Sequence, residues 1–91
     1  MACAIVIEDY DPIGLALEEV YAETRRAQEL FPRESASAHE AFAIFKEEVD
    51  ELWEEVRGKS DGDQTERKRR MRKEAVQAAA MAIRFIMEVC K

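Results

Sequence analysis

Four oxygen-bearing side chains at helical spacing are the residues of this sequence best suited to chemistry. Glu48 and Glu51 stand three positions apart, so on a helix they lie side by side at the edge of an apolar stripe. Glu74 and Gln77 repeat that spacing in a later segment that is otherwise almost wholly apolar. Carboxylate and amide oxygens suit Mg²⁺ or Mn²⁺ better than zinc or copper. Two helices that bring these pairs to a shared seam can hold such a cation without a glycine-rich loop.

The two pairs differ in how strongly they indicate a buried site. The chain has 20 acidic residues, so a glutamate pair at this spacing is more often a solvated face than a pair of ligands. Glu74 and Gln77 have the stronger claim, because polar groups on an apolar helix need partners when they are buried. A solvated face therefore stays the alternative for Glu48 and Glu51.

Other chemistries find little support in the sequence. His39 is the only histidine, and neither a Gly-x-Ser-x-Gly elbow nor a Gly-x4-Gly-Lys-Ser/Thr loop occurs. A ferritin-like di-iron site needs Glu-x-x-His motifs, but Ala36 stands three residues before His39. Cys3 and Cys90 form neither a disulfide framework nor a zinc-site spacing, which favours a reduced intracellular protein. Any phosphate group must therefore be held by a cation and by side chains.

The first helix is marked at both ends. Asp11-Pro12 is typical of an N-cap followed by proline at the first helical position, where its missing N–H is harmless. Pro32 ends the apolar period that follows, which predicts a helix over about 12–31. Residues 1–10 have no helical period, and we interpret them as an N-terminal arm or an edge strand.

Two further helices are indicated by capping residues. Ser37 and Glu40 fit a capping box, in which the serine caps the third amide and the glutamate reaches back. That box predicts a second helix over about 38–57, which a glycine ends. Asp63 can cap a third helix over about 64–89.

Apolar residues form stripes on the first two helices and surround the third. The stripe of helix 1 comprises Ile13, Leu17, Val20, Thr24, Ala27 and Phe31, and that of helix 2 comprises Phe42, Phe45, Val49, Leu52, Trp53 and Val56. From Ala75 to Cys90 apolar residues occur all the way round, so one pair of neighbouring helices cannot cover this segment. A chain of 91 residues also builds only a limited core. We therefore predict one all-α domain over 1–91, a three-helix protomer that completes a four-helix-type bundle by homo-oligomerisation.

Charge is unevenly distributed along the chain. The formal net charge is −6, whereas residues 66–73 carry +5, so the rest, at −6 less +5, carries −11. An acidic body argues against general nucleic-acid binding, while a local basic block suits a small anion. No apolar stretch is long and charge-free enough to span a bilayer, and no signal peptide is recognisable. We expect no membrane association and a cytoplasmic location.

Residues 39–86 resemble a known enzyme family. Glu47-Glu48-Val49-Asp50-Glu51 fits a Glu-Glu-x-x-Glu motif on one helix. Glu74-Ala75-Val76-Gln77 fits a Glu-x-x-Asp motif on the next, with Gln77 at the Asp position. With the segments that flank them, the two motifs are similar to the MazG-like branch of the all-α nucleoside triphosphate pyrophosphohydrolases, and in particular to small phage and prokaryotic members.

The resemblance implies an obligate dimer, or a dimer of dimers, with a Mg²⁺-carboxylate site in each bundle. In that family, water attacks the α-phosphorus of a nucleoside triphosphate, and pyrophosphate and a nucleoside monophosphate are released. By position, Glu48, Glu51 and Glu74 are the implied metal ligands. Gln77 is a neutral ligand where the family has an anionic one, and Glu47 is implied to be a further ligand or to position the water.

Cationic and aromatic residues near the motifs are candidates for substrate binding. Phosphoryl transfer is catalysed mostly by positioning and charge neutralisation, so Arg70, Lys73 and Arg84 are candidate contacts for the triphosphate. Ordinary ion pairing with helix 2 glutamates is the alternative, and it has more weight for Lys73 than for Arg84. Trp53 can stack on a base, although a tryptophan on an apolar stripe is more often part of a core.

These observations lead to one function and two alternatives. The leading hypothesis is a Mg²⁺-dependent nucleotide pyrophosphohydrolase, with Mn²⁺ as a possible replacement. The first alternative is a catalytically silent helical oligomer that acts as a binding or assembly module, which the substitution at Gln77 allows. The second is an adaptor that docks RNA or DNA through residues 67–73.

Overall fold

The computed structural model describes residues 11–58 and 62–91, and these form three α-helices without a strand. Helix α1 spans Pro12–Leu30, α2 spans Ala38–Arg57 and α3 spans Gln64–Val89. The all-α prediction is confirmed, and α2 and α3 have the predicted bounds. The arm predicted for residues 1–10 lies outside the described residues. None of the described helices combines the length and apolar character needed to span a membrane.

Helix α1 ends one residue earlier than predicted. Phe31 is its C-cap, with φ −131° and ψ 73°, although the Phe31 amide still donates to the Ala27 carbonyl at 2.8 Å. The ring of Pro32 disfavours helical backbone in the residue before it. Helical geometry therefore stops at Leu30.

Aspartate caps begin the first and third helices. The Asp11 carboxylate accepts a hydrogen bond from the Ile13 amide at 3.1 Å, and the Asp63 carboxylate accepts one from the Thr65 amide at 2.9 Å. Each bond satisfies an N–H group that has no partner inside the helix. Both helix starts are thus encoded locally.

The second helix begins with half of the predicted capping box. The Ser37 hydroxyl accepts from the Glu40 amide at 3.1 Å, as predicted. The Glu40 carboxylate accepts instead from Arg33 Nη2 at 3.1 Å, where the box would have it reach back to Ser37. A cation in the preceding connection competes for this carboxylate, since a charge-assisted bond is stronger than one to a neutral amide.

Helix α3 is the centre of the arrangement, and α1 lies parallel to it. Arg72 pairs with Glu19 at 2.6 Å in the first half of α1, and Arg84 donates to the Phe31 carbonyl at 3.0 Å at the end of α1. Positions along the two helices therefore increase together. The long connection through α2 makes this parallel packing possible.

Helix α2 packs against α3 in the antiparallel direction. Arg67 Nη2 donates to the Val56 carbonyl at 2.8 Å, and Arg70 Nε donates to Glu55 Oε2 at 3.1 Å. Helices α1 and α2 both pack on α3, but they do not pack on each other within the described residues. They therefore form the two walls of a cleft whose floor is α3.

Only small residues are buried in this arrangement. The buried residues of the described chain are Gly14, Thr24, Ala27, Ala41, Ala78 and Ala80. No large side chain within that part of the chain is fully buried, and Ile13, Phe31 and Trp53 are 72%, 66% and 58% exposed. Thr24 and Ala27 of the α1 stripe are buried, whereas most large side chains of the two stripes stay exposed within one chain. Each of these helices has a single neighbour, and one neighbour cannot cover so wide an apolar face.

Candidate metal centre

The antiparallel packing of α2 on α3 brings three glutamates together. Glu48 and Glu51 come from the middle of α2, and Glu74 comes from the facing turn of α3. One carboxylate oxygen from each lies within 4.8 Å of the others. We call these three residues the carboxylate cluster. It is the group that the helical spacing in the sequence singled out.

Two oxygens of the carboxylate cluster are buried without a hydrogen-bond partner. Glu48 Oε2 and Glu74 Oε2 are shielded from solvent, and neither has a partner among the described residues. Glu51, by contrast, is exposed. A desolvated acceptor without a donor is costly, and native proteins satisfy nearly all such groups. Either a bound cation or a proton would satisfy these oxygens.

Two carboxyl groups of the carboxylate cluster have a raised pKa. Burial, followed by the charge of Glu51, raises the pKa of Glu48 to about 7, and Glu47 and Glu74 add to this effect. Burial and Glu51 also raise the pKa of Glu74, against the opposing charge of Lys73. Both carboxyls are thus less acidic than usual, because neither burial nor like charge favours the ionised form.

Gln77 and Glu47 flank the carboxylate cluster in different ways. Gln77 is half-buried, one turn after Glu74, and lines a cavity together with Glu48. Glu47 is exposed on α2, and its charge acts on Glu48. Gln77 can offer a neutral oxygen to a shared ligand, whereas Glu47 faces solvent and is placed to interact with water.

The cleft between α1 and α2 holds a cavity of about 580 Å³ beside the cluster. Its apolar lining comes from all three helices and includes Leu30, Phe31, Ile44, Met81 and Phe85. Its polar lining includes Glu48, Gln77, Arg84 and Glu88. The volume lies within the range of small-molecule sites, and a mostly apolar wall with a few polar groups is typical of them. We call this space the cleft cavity.

Arg84 is engaged in holding α1 to α3. Its Nε donates to Glu88 Oε2 at 2.6 Å, and its Nη2 donates to the Phe31 carbonyl at 3.0 Å. The Ser35 amide completes the group by donating to Glu88 Oε1 at 2.9 Å. Burial raises the pKa of Glu88, but the bonds from Ser35 and Arg84 outweigh it and leave that pKa below its usual value. Arg84, which was predicted to contact a triphosphate, thus attaches the C-terminal end of α1 to α3.

The other residues predicted to bind substrate are spread over the surface. Arg70 donates to Glu55 and also lies 3.6 Å from Glu66, so its charge is shared between two carboxylates. Lys73 is exposed and lines a second cavity, between α1 and α3. Trp53 is 58% exposed on α2 and lines neither of the two cavities.

Residues of α1 and of the connection after it line the cavities, although no sequence pattern marked them as site residues. Arg26 lines both cavities, and Phe31 and Arg33 line the cleft cavity. The helical period of α1 gives the face on which these residues lie, but only the parallel packing on α3 brings that face to the cluster. A signal was nevertheless present, because Glu23 and Arg26 stand three positions apart, which is the spacing of an ion pair on a helix, and they pair at 2.6 Å.

Comparison with known proteins identified no matching family model, no matching curated protein and no matching solved structure.

Proposed function

We propose that this chain is a Mg²⁺-dependent nucleoside triphosphate pyrophosphohydrolase that releases pyrophosphate and a nucleoside monophosphate. The observation that carries the proposal is the convergence of Glu48, Glu51 and Glu74, whose oxygens lie within 4.8 Å of one another, beside a cavity of about 580 Å³. The resemblance of residues 39–86 to the MazG-like family supplies the reaction type.

The chemistry of the donor set fits a hard divalent cation. All three groups are carboxylates, which suit Mg²⁺ or Mn²⁺, and Gln77 adds a neutral amide oxygen nearby. The buried oxygens of Glu48 and Glu74 have no partner among the described residues, so a bound cation would satisfy both. It would also relieve the mutual repulsion that raises the pKa of these carboxyls.

The remaining steps fall to residues of the chain itself. A bound Mg²⁺ would supply charge neutralisation for the phosphates and lower the pKa of water. Glu47 is exposed next to the cluster and can accept a proton from an attacking water. The apolar wall of the cleft cavity can cover a nucleoside and exclude water, which strengthens electrostatic interactions inside.

Homo-oligomerisation is part of the proposal. Only glycine, threonine and alanine are buried in the described chain, while Phe42, Trp53 and Ile86 are 55%, 58% and 61% exposed. Apolar surface of this extent marks an interaction face. A second copy, in a dimer or a dimer of dimers, would cover it and complete a four-helix bundle around α2 and α3.

Pyrophosphate release from a panel of NTPs and dNTPs, with Mg²⁺ or Mn²⁺, tests the proposal directly. Parent protein should release pyrophosphate and monophosphate in a metal-dependent manner, and Glu51→Gln should abolish this. Glu54→Gln is the matched control, because Glu54 lies one turn further along α2, is exposed and pairs with Arg57 at 2.7 Å. Equal activity of the two variants would overturn the assignment of the cluster.

A silent helical oligomer is the second candidate, favoured by the amide of Gln77 where the resemblance predicts a carboxylate. The same carboxylate cluster would then bind a cation for structural reasons only. Thermal stabilisation by Mg²⁺ without pyrophosphate release from any nucleotide of the panel would favour it over the hydrolase.

A further inference from the structure

A second cavity, of about 550 Å³, lies between α1 and α3 and has a different character from the cleft cavity. We call it the basic groove, and it is lined by Glu19, Glu23, Arg26, Arg69, Arg72, Lys73, Val76 and Gln77. Four of these side chains are cationic and two are anionic, which leaves two positive charges in excess. In a chain whose formal net charge is −6, this is a marked local reversal of sign.

Each arginine of the basic groove pairs with a carboxylate through two of its nitrogens. Arg26 donates through Nε and Nη2 to Glu23 at 2.9 and 2.6 Å, and Arg72 donates through the same two nitrogens to Glu19 at 2.9 and 2.6 Å. Arg69 makes the same fork with Glu66, again at 2.9 and 2.6 Å. Fork-shaped pairs of this kind fix the plane of the guanidinium as well as its position.

Because these pairs use only Nε and Nη2, other cationic N–H groups of the groove remain available to a ligand. The Nη1 groups of Arg26 and Arg69 make no hydrogen bond within the described chain, and Lys73 has neither a hydrogen bond nor an ion pair there. The side chains of Arg26 and Arg69 are 55% and 65% exposed, so an anion can reach them. Guanidinium forks and ammonium groups are the usual protein donors to phosphate oxygens.

The basic groove is continuous with the cleft cavity. Gln77, Glu23 and Arg26 line both spaces, and Lys73 immediately precedes the cluster residue Glu74. A ligand with an apolar part in the cleft cavity and an anionic tail in the basic groove would pass beside the carboxylate cluster. We propose that the basic groove binds the polyphosphate part of the ligand. The identity of that ligand as a nucleoside triphosphate rests on the proposed function, whereas anion binding by the groove does not.

A polynucleotide fits the basic groove less well. Glu19 and Glu23 lie inside it, and the rest of the chain is strongly acidic, so a long phosphate backbone would meet repulsion beyond the groove. A compact polyphosphate needs only the local cations. The volume of about 550 Å³ is also that of a small-molecule site.

Calorimetric titration of the full chain with inorganic tripolyphosphate in EDTA tests the groove without metal. Parent protein should bind, and Arg69→Gln and Lys73→Gln should each weaken binding about tenfold, because each removes a charged donor. Arg57→Gln is the matched control. Arg57 makes the same i,i+3 pair with Glu54, at 2.7 Å, but lines neither cavity, so its loss should leave binding unchanged.

The outcomes separate this inference from the proposed function. The proposal that the basic groove binds polyphosphate would be wrong if folded parent protein did not bind tripolyphosphate. It would also be wrong if Arg57→Gln and Arg69→Gln weakened binding equally. Hydrolysis with the same KM in Arg69→Gln and parent would contradict it as well. Tighter, steeply salt-dependent binding of duplex DNA or RNA would replace the polyphosphate with a polynucleotide. If Arg69→Gln weakened tripolyphosphate binding but the parent hydrolysed no nucleotide, anion binding by the groove would be confirmed and the proposed hydrolase function would be wrong.

Discussion

Replacing Glu48 by glutamine should stabilise the protein at alkaline pH when no divalent cation is present. Burial and the charge of Glu51 raise the pKa of Glu48 to about 7, against an ordinary value of 4.5 in an unfolded chain. The folded state therefore binds this proton more tightly. The stability that the proton contributes is fully present below pH 4.5 and is lost as the pH rises through 7. Glutamine keeps the shape of the side chain and cannot ionise, so it avoids this loss.

The two pKa values set the size of the effect. Ionising Glu48 by pH 8 can destabilise the fold by at most about 3.4 kcal/mol, because its pKa lies about 2.5 above the ordinary value and each pH unit is worth about 1.36 kcal/mol. Glu48 is only half-buried, and solvent screens part of the repulsion, so we expect the variant to gain about 1–2 kcal/mol at pH 8. Near pH 4.5 the difference between variant and parent should shrink to a few tenths of a kcal/mol.

Urea unfolding in EDTA at pH 4.5 and pH 8, at one chain concentration, measures this difference. Glu54→Gln serves as the control, because Glu54 is exposed and its loss should change the free energy of unfolding by less than about 0.5 kcal/mol. Mg²⁺ should reverse the order at pH 8, since a ligand at a hundred times its Kd stabilises the parent by about 2.7 kcal/mol. The reasoning would be refuted if Glu48→Gln were no more stable than the parent at pH 8, or if its gain in free energy of unfolding were the same at both pH values.

Three further outcomes are expected. Sedimentation at micromolar concentration should show a dimer or larger, because Phe42 and Trp53 are more than half exposed; a folded monomer would contradict this. Gln77→Asp should tighten Mg²⁺ binding about tenfold by calorimetry, since it adds an anionic ligand, and unchanged affinity would place Gln77 outside the metal site. Arg84→Met should lower the free energy of unfolding by about 3 kcal/mol, because it leaves the buried carboxylate of Glu88 with the Ser35 amide but without a cation; a loss below about 1 kcal/mol would show that water replaces the arginine.

The helices could be predicted from the sequence because their ends are encoded locally. Asp11, Ser37 and Asp63 cap the helices that follow them through bonds to amides two or three residues away. Such bonds require nothing from the rest of the fold. The one-residue error at the end of α1 arose from the residue before Pro32, whose backbone is restricted by the proline ring.

The carboxylate cluster was predictable for a related reason. A short connection between α2 and α3 forces antiparallel packing, so residues on facing turns meet at a position that the sequence spacing gives. Glu48, Glu51 and Glu74 follow from this argument. The roles of these carboxylates in metal binding and catalysis stay predictions.

The basic groove could not be predicted, because it depends on where α1 lies. Glu19 and Arg72 are 53 positions apart in the chain, and the parallel packing that joins them is set by tertiary contacts. The apolar stripes leave a different question open. A stripe shows which residues avoid water, but it does not show whether the covering surface comes from the same chain or from another one.

If the chain oligomerises as proposed, the small size of its buried residues makes its stability depend on protein concentration as well as on contacts within one chain. Each buried methylene group contributes only about 0.8 kcal/mol, so seams lined by alanine provide little of the free energy that must offset lost conformational entropy. In the proposed oligomer, the larger contribution comes from the exposed phenylalanine, tryptophan and isoleucine side chains, which a second copy would cover. By mass action, the midpoint of thermal unfolding then rises with protein concentration, and dilution alone can shift the chain towards the unfolded state.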